Sequence, residues 1–215
     1  MLYPPTRVSV KNPDYDRWSG YGQRGKAMNL KILPEFAPGT YSGAWFTLVY
    51  LGVNVACLAF FRKGAVRRLT SRPELPAGLR AYVWIETQLF FLPMLYAAWR
   101  PIAPESPWFL IGSAVFAAGM LAYAVGMINF GRASFEAPIE TGMYRFSRHP
   151  HYVTSYIAWL GAAVALQSIV IAALWTTLMV MMHRTNKIEE AECIRQYGDA
   201  YRKYMKRVPR YLLFF

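Results

Sequence analysis

A short run of cationic, imidazole and aromatic side chains stands between two long apolar stretches of this sequence. It reads Arg148-His149-Pro150-His151-Tyr152 and is called the Arg-His-Pro loop. Proline favours the first turn of a helix, so Arg148 and His149 should lie at a helix N-terminus, beside backbone N–H groups without a partner in the helix. Such a helix end binds a carboxylate or a phosphate. The alternative is that Arg148 and Tyr152 anchor a membrane helix at its polar boundary.

A second group of charged residues follows after a long apolar stretch. Glu189 and Glu190 are adjacent carboxylates, and Arg184 precedes them. Neighbouring residues on a helix point about 100° apart, so one carboxylate can bind a cationic ligand while the other pairs with Arg184 or Arg148. The alternative is plain solvated charge on an amphipathic helix, in which the glutamates support neighbouring basic residues.

The composition excludes an ordinary soluble domain. Of the 215 residues, 55% are hydrophobic and 17% are charged, whereas about 25% of an average soluble domain is charged. The charged residues also lie mostly outside the long apolar stretches, where a soluble fold would interleave them. A disulfide scaffold is excluded too, since Cys57 stands in an apolar stretch and Cys193 in a charged tail.

Three apolar stretches predict transmembrane helices. Residues 41–61, 81–99 and 108–130 carry at most one charge each, and about 20 apolar residues suffice for a helix to cross a ~30 Å hydrocarbon core. The third stretch is rich in glycine, alanine and serine, which let helix backbones approach closely in lipid. We therefore expect the third helix to be central.

The fourth apolar stretch, residues 152–182, predicts a helical hairpin. It is too long for one upright span and short for two, so we expect two short helices that turn near Ala165, Gln167 and Ser168. A single tilted helix is the alternative. Residues 184–210 then show the apolar spacing of an amphipathic helix with a strongly charged second face.

Together these patterns predict an all-α, polytopic membrane protein with about five transmembrane helices, a C-terminal helical hairpin and an amphipathic cytoplasmic tail helix. Residues 1–40 form a polar or interfacial N-terminal segment in which no cleavable signal peptide is visible. Residues 41–107 hold the first two transmembrane helices. Residues 108–215 form the core that carries the chemistry.

The distribution of basic residues predicts an orientation. Most of them lie after the first span, before the hairpin or in the tail, and with five spans these segments share one side. The positive-inside rule makes that side the cytoplasm. The net charge of +12 follows the membrane boundaries, and no nucleic-acid motif is present, so we expect anionic membrane lipids as partners and no nucleic acid.

Glu86 and the histidines are further candidates for site residues. Glu86 lies inside the second predicted span, where an ionisable residue is a functional candidate by default. It is expected to reach the membrane interface, to form an ion pair with Arg80 or Arg62, or to line a pocket. The three histidines of the chain are not spaced as a convincing set of metal ligands. We therefore predict no metal.

Several motifs follow one another in the C-terminal half of the chain. They are Gly142-x-Tyr144-x-x-x-Arg148-His149-Pro150-x-Tyr152, an apolar hairpin, Glu189-Glu190, and Tyr197-Gly198-x-x-Tyr201-x-x-Tyr204-x-x-x-Val208-Pro209-Arg210. In this order, over roughly residues 110–212, they resemble the integral-membrane methyltransferases related to isoprenylcysteine carboxyl methyltransferase and the phospholipid N-methyltransferases.

The resemblance implies a methyltransferase that uses S-adenosyl-L-methionine and acts on a lipid-like or isoprenoid acceptor, at a carboxyl oxygen or an amine nitrogen. The acceptor would enter from the bilayer, with no obligatory protein partner. By resemblance, and by the charges that the cofactor carries, the candidate cofactor-binding residues are Tyr144, His149, Pro150, Tyr152, Glu189 and Glu190. The candidate catalytic residues are Arg148, Arg184 and Glu189.

Two competing functions remain open at the level of the sequence. Membrane sterol and steroid reductases, which use NADPH, resemble this chain in the tyrosine-rich run that ends at Val208 and Pro209. The adjacent glutamates and the short chain favour the methyltransferase. A membrane protein that kept the scaffold without activity is the third class.

Overall fold

A computed structural model describes residues 42–66 and 75–212, and these residues are all-helical. The helices are α1 (Ala44–Leu58), α2 (Ala77–Ala98), α3 (Pro107–Arg132), α4 (Pro150–Ala165), α5 (Ile169–Tyr197) and α6 (Asp199–Arg207), with a 3₁₀ turn at Gly142–Arg145. The all-α prediction is confirmed for this part of the chain. The predicted N-terminal segment 1–40 lies outside the described residues.

The predicted five-span topology stays a prediction. Among the described residues, α3 is the one helix that is long and apolar enough to cross a membrane, and α1 is a shorter apolar helix. Large apolar side chains stand exposed on the outer faces of the helices, among them Leu121, Val180, Val55, Trp84 and Leu110. An apolar outer surface of this kind favours contact with lipid, since soluble monomers rarely expose large contiguous apolar patches.

The hairpin turns where the sequence predicts it. Helix α4 ends at Ala165, and α5 begins at Ile169 with Ser168 as its N-cap, whose hydroxyl accepts from the backbone N–H of Ile171. Gln167 adopts a φ of 46° between them, a left-handed conformation that tight turns use. These observations exclude the single tilted helix.

The amphipathic tail helix predicted over 184–210 is wrong in its boundaries. Helix α5 continues without interruption from the apolar hairpin to Tyr197, because nothing between its apolar and charged parts breaks a helix. Gly198 then adopts a φ of 57° and ends it, as a glycine at a helix C-terminus commonly does. The separate amphipathic helix is only α6, which buries Tyr201 and Tyr204.

Glycines allow α3 and α4 to pack backbone to backbone. A Cβ atom on Gly112 would lie 2.2 Å from the backbone nitrogen of Ala165, and one on Gly161 would lie 2.4 Å from that of Phe116. Helix α3 contacts α4 more extensively than any other helix pair in the described residues. The expected central place of α3 stays a prediction, and these contacts fix the C-terminal end of α4 against α3.

An aromatic layer joins the hairpin to α1 and α2. Trp159 of α4 stacks on Trp175 of α5 with ring centroids 5.1 Å apart, and Tyr50 and Phe90 pack against this pair. The hydroxyl of Tyr82 also donates to the Met181 carbonyl at 2.7 Å, which ties α2 to α5. The start of α4 and the charged part of α5 therefore lie at the same end of the bundle.

We predict that Gly112→Ala destabilises the protein by about 1–3 kcal/mol, the usual cost of overpacking, because its methyl group would meet the backbone of α4. The matched control is Gly52→Ala, since a Cβ at Gly52 meets no atom within 4 Å and alanine favours helix by up to about 1 kcal/mol. Thermal unfolding of both variants in detergent checks this. Equal midpoints would contradict the packing.

Candidate active site

The Arg-His-Pro loop lies at the N-terminus of α4, as predicted. Pro150 is the first residue of the helix and His149 is its N-cap. The Ser147 hydroxyl accepts from the His149 backbone N–H at 3.1 Å. Arg148 and His149 are both buried, 6% and 5% exposed, so Arg148 does not extend to lipid headgroups as the anchor alternative required.

Glu190 is the centre of an ion-pair network. Its Oε1 accepts from Arg148 Nε and Arg210 Nε, each at 2.9 Å, and lies 3.3 Å from His149 Nε2; its Oε2 accepts from Arg210 Nη2 at 2.7 Å. The residue is 2% exposed. Both carboxylate oxygens are therefore engaged by cationic or imidazole groups of the protein itself.

The surroundings keep Glu190 ionised. Burial raises the pKa of its carboxyl group, but hydrogen bonds from His149 and Arg210 and the charge of Arg148 outweigh burial and lower the pKa to about 2. Two guanidinium groups and one carboxylate thus share a water-poor environment in which each charge needs its partners.

Residues close to the C-terminus complete this network. Arg148 Nη1 donates to the carbonyls of Met205 and Val208, each at 2.9 Å, and its backbone N–H donates to the Pro209 carbonyl at 3.0 Å. We call residues 208–211 the C-terminal strap. The strap and the Arg-His-Pro loop, some 60 residues apart in the chain, form one hydrogen-bonded unit.

Glu189 points the other way from its neighbour. Its side chain is 44% exposed, its Oε1 accepts from the Tyr152 hydroxyl at 3.1 Å, and its Oε2 lies 3.7 Å from His149 Nδ1. The two adjacent carboxylates therefore differ in environment: Glu190 is enclosed by cations, and Glu189 faces open space. The His149 ring lies between them.

A cavity of about 550 Å³ opens beside Glu189, within the range of about 300–1,000 Å³ typical of small-molecule sites. Its lining includes the polar side chains Tyr144, Arg148, His149, Tyr152, Thr185 and Glu189. It also includes the aromatic and apolar side chains Phe130, Ile139, Tyr197, Tyr201 and Tyr204. The cavity can thus contact both charged groups and apolar or aromatic groups of a ligand.

Comparison with known proteins finds a similarity in the C-terminal half of the chain. Residues 108–200 match the sequence profile of the phospholipid methyltransferases. This region is therefore similar to that family. The matched region extends from α3 to the start of α6. It includes every cavity residue named above except Tyr201 and Tyr204.

One curated relative of this chain is a protein-S-isoprenylcysteine O-methyltransferase from Schizosaccharomyces pombe, which is 33% identical over 72 residues. The matched part is 33% of this chain and 30% of the relative, so the chain covers less than a third of that protein's length. No solved structure matches the chain.

The structure separates the predicted site residues into groups. Five of them line the cavity: Tyr144, Arg148, His149, Tyr152 and Glu189. Pro150 and Glu190 are buried and are not among the lining residues.

Arg184 lies elsewhere. Its guanidinium stands 4.9 Å from the centre of the Tyr82 ring on α2 and is not part of the cavity lining. Its place on α5 turns it toward α2 and away from the Arg-His-Pro loop.

Glu86 is buried and close to the cavity wall. It accepts a hydrogen bond of 2.5 Å from the hydroxyl of Thr185, which lines the cavity. The expected ion pair with Arg80 or Arg62 stays a prediction, and so does a direct place in the pocket. The observed contact links α2 to α5 next to the site.

Sequence reasoning gave no role to several residues that hold the site together. Arg210 pairs with Glu190, Ser147 donates to the Arg210 carbonyl at 2.9 Å, and Tyr204 donates to the Tyr144 carbonyl at 2.7 Å. Tyr204 and Arg210 belong to the final motif of the family resemblance, which was the available signal. The local sequence around these residues does not predict which residues they contact.

We predict that Glu190→Gln destabilises the protein by about 3–5 kcal/mol, the cost of breaking a buried ion pair, since it leaves Arg148 and Arg210 without a buried counter-charge. Glu189→Gln should change stability by less than about 0.5 kcal/mol, because its side chain is half-exposed and the amide oxygen can still accept from Tyr152. Unfolding of both variants in detergent measures the difference. Equal losses would contradict the division of roles.

Glu190 should also contribute to stability in a pH-dependent way. Its folded-state pKa of about 2 lies below the ordinary value of 4.5, so its contribution is fully present above about pH 4.5 and is lost as the pH falls toward 2. The thermal midpoint of the wild type should fall through this window more steeply than that of Glu190→Gln. Glu192→Gln serves as control, because its ion pair with Arg195 is exposed and worth little.

Proposed function

We propose that this protein is a multi-pass membrane methyltransferase that uses S-adenosyl-L-methionine and methylates a lipid-like or isoprenoid acceptor. The family of residues 108–200 supports methyl transfer. The observation that carries the cofactor assignment is the half-exposed Glu189 carboxylate, which faces the cavity while Glu190 beside it is paired with Arg148 and Arg210.

The residues around the cavity fit the chemistry of this cofactor. S-adenosyl-L-methionine carries a sulfonium and an ammonium group, a carboxylate and a purine. Glu189 and the Tyr152 hydroxyl would hold the cationic groups, and the N-terminus of α4, next to His149, suits the carboxylate. The rings of Tyr197 and Tyr201 offer aromatic surface to the purine.

The chain's own residues have a limited task in this reaction. When bound, the cofactor supplies a methyl group on a positively charged sulfur, and this sulfur leaves readily as a neutral thioether. The protein must align the acceptor, exclude water and match the cofactor's charges. The network of Glu190, Arg148 and Arg210 holds His149 in place, and a preorganised wall of this kind is what alignment requires.

The acceptor would reach this cavity from the bilayer. Val83 of α2 and Phe130 of α3 belong to the cavity lining, and both helices expose large apolar side chains such as Trp84 on their outer faces. An apolar chain can therefore extend between lipid and the cavity. Carboxyl O- and amine N-methylation are both compatible with the site.

We further propose that the cavity and the C-terminus lie on the cytoplasmic side. Helix α6 buries its tyrosines and exposes basic residues, namely Arg202, Lys203, Lys206 and Arg207. Each basic residue close to an anionic membrane surface contributes about 1 kcal/mol to binding. Anionic lipid headgroups are the partners that this face suits.

Binding to the purified protein in detergent tests the function. We expect saturable binding of S-adenosylhomocysteine and none of NADPH by calorimetry. Glu189→Ala and His149→Ala should each weaken binding by about 10-fold or more, because a hydrogen bond to a charged group contributes roughly 1.5–3 kcal/mol. Asp199→Ala, which changes an exposed residue of α6, should bind like the wild type.

Other outcomes would overturn the proposal. Binding of NADPH alone would identify a reductase. Binding of neither compound would favour a scaffold without activity, and normal binding in both site variants would refute the site.

A further inference from the structure

The C-terminal strap is hydrogen-bonded to the wall of the cavity, although it lies far from that wall in the chain. Residues 208–211 lie beyond the region that matches the family. Nevertheless, the Pro209 carbonyl accepts from the Arg148 backbone N–H, and the Arg210 carbonyl accepts from the Ser147 hydroxyl. Both partners belong to the turn that begins α4.

Arg210 sets the orientation of the Glu190 carboxylate. It donates from Nε to one oxygen and from Nη2 to the other, and its side chain is 14% exposed. A bidentate guanidinium fixes the plane of a carboxylate. Arg148 bonds to Oε1 alone, so Arg210 is the residue that engages both oxygens.

The orientation of Glu190 in turn fixes the His149 ring. Nε2 of His149 faces Glu190 Oε1 at 3.3 Å, and Nδ1 faces Glu189 Oε2 at 3.7 Å. The imidazole therefore spans the enclosed carboxylate and the cavity-facing carboxylate. A rotation of Glu190 would release the ring from the geometry in which it lines the cavity.

We propose that Arg210 is a positioning residue of the cofactor cavity, acting through Glu190 on His149, so that cofactor affinity depends on the C-terminal strap. This inference rests on the proposed function for the identity of the cofactor. Its electrostatic part does not depend on any ligand: Arg210 orients the Glu190 carboxylate and keeps it ionised.

The strap keeps its place without the Arg210 side chain. The Tyr211 hydroxyl accepts from Asn186 Nδ2 at 2.9 Å and lies 3.3 Å from His183 Nδ1. The contacts of Ser147 and Pro209 use the strap backbone only. An Arg210 variant should therefore retain the fold, and its effect should be confined to Glu190 and His149.

Removing Arg210 should make the site sensitive to acid. The titratable and charged groups facing Glu190 come from the loop, the strap, α6 and α5; they are Arg148, His149, Arg210, Tyr211, Tyr201, Tyr204, Glu189 and His183. Of these, Arg210 gives the Glu190 carboxylate two hydrogen bonds. Without them, burial raises the pKa of Glu190, which then takes up a proton at higher pH.

The experiment compares wild type, Arg210→Ala, Arg210→Lys and Arg202→Ala in detergent. Arg202 is an exposed arginine of α6 and serves as the matched control. Calorimetric titration with S-adenosylhomocysteine between pH 5 and 8, and thermal unfolding without ligand between pH 3 and 8, are measured for each.

We expect Arg210→Ala to weaken S-adenosylhomocysteine at least 10-fold at pH 7 and to lose further affinity toward pH 5, where the wild type changes little. Arg210→Lys should recover part of the affinity, because lysine keeps the charge but not the bidentate geometry. Without ligand, the decline of the unfolding midpoint below about pH 4.5 should be shallower in Arg210→Ala, because a raised pKa of Glu190 leaves less stability to lose on acidification. Arg202→Ala should match the wild type throughout.

Affinity and pH profile unchanged in Arg210→Ala would overturn the inference and leave the proposed function standing. Lysine and alanine variants that bind equally weakly at every pH, with an unchanged acid decline, would show a merely structural role and overturn it too. A wild type that does not bind S-adenosylhomocysteine would overturn the proposed function, and the ligand-free unfolding series would then decide the electrostatic part alone.

Discussion

A buried carboxylate must be matched by positive charge, and the C-terminal half of this protein is organised around one such residue. Glu190 is almost inaccessible, yet its surroundings keep it ionised. Its counter-charges come from the Arg-His-Pro loop and from the C-terminal strap. Because an isolated buried charge is very costly, these three segments must assemble together.

The apolar part of the molecule makes this assembly possible. Close packing of α3 on α4 through Gly112 and Gly161 holds the C-terminal end of α4 against α3, and the tight turn at Gln167 returns α5 alongside α4. The continuous α5 then carries Glu189 and Glu190 beyond the apolar layer on the same rigid helix. Small changes in helix packing would therefore move the charged groups relative to one another.

The two adjacent glutamates illustrate how one helix serves two purposes. The buried Glu190 carboxylate contacts the His149 ring and holds it in place, whereas the Glu189 carboxylate faces the cavity. The proposed methyl transfer needs little acid–base chemistry from the protein, since alignment and exclusion of water are the main requirements. A rigid wall with one accessible carboxylate is well suited to that task, and the strap adds to its rigidity.

Features that depend on neighbours in the chain were determined by the sequence itself. The lengths of apolar stretches predicted the helical architecture, Pro150 placed the Arg-His-Pro loop at a helix start, and the hairpin turn was located near Gln167. The adjacent glutamates were recognised as a pair that a helix would separate. The motif order over the C-terminal half indicated the family.

Other features were decided only by the tertiary structure. Contacts between segments distant in the chain decide which of the two glutamates is enclosed. They also decide that Arg184 turns toward Tyr82 and that Arg210 reaches the site. The sequence pattern predicts a boundary inside α5 because the composition changes there from apolar to charged, although nothing at that point breaks a helix. Local periodicity predicts which face of a helix is apolar; the partner of a charge is set by how the helices pack, and no local pattern encodes that.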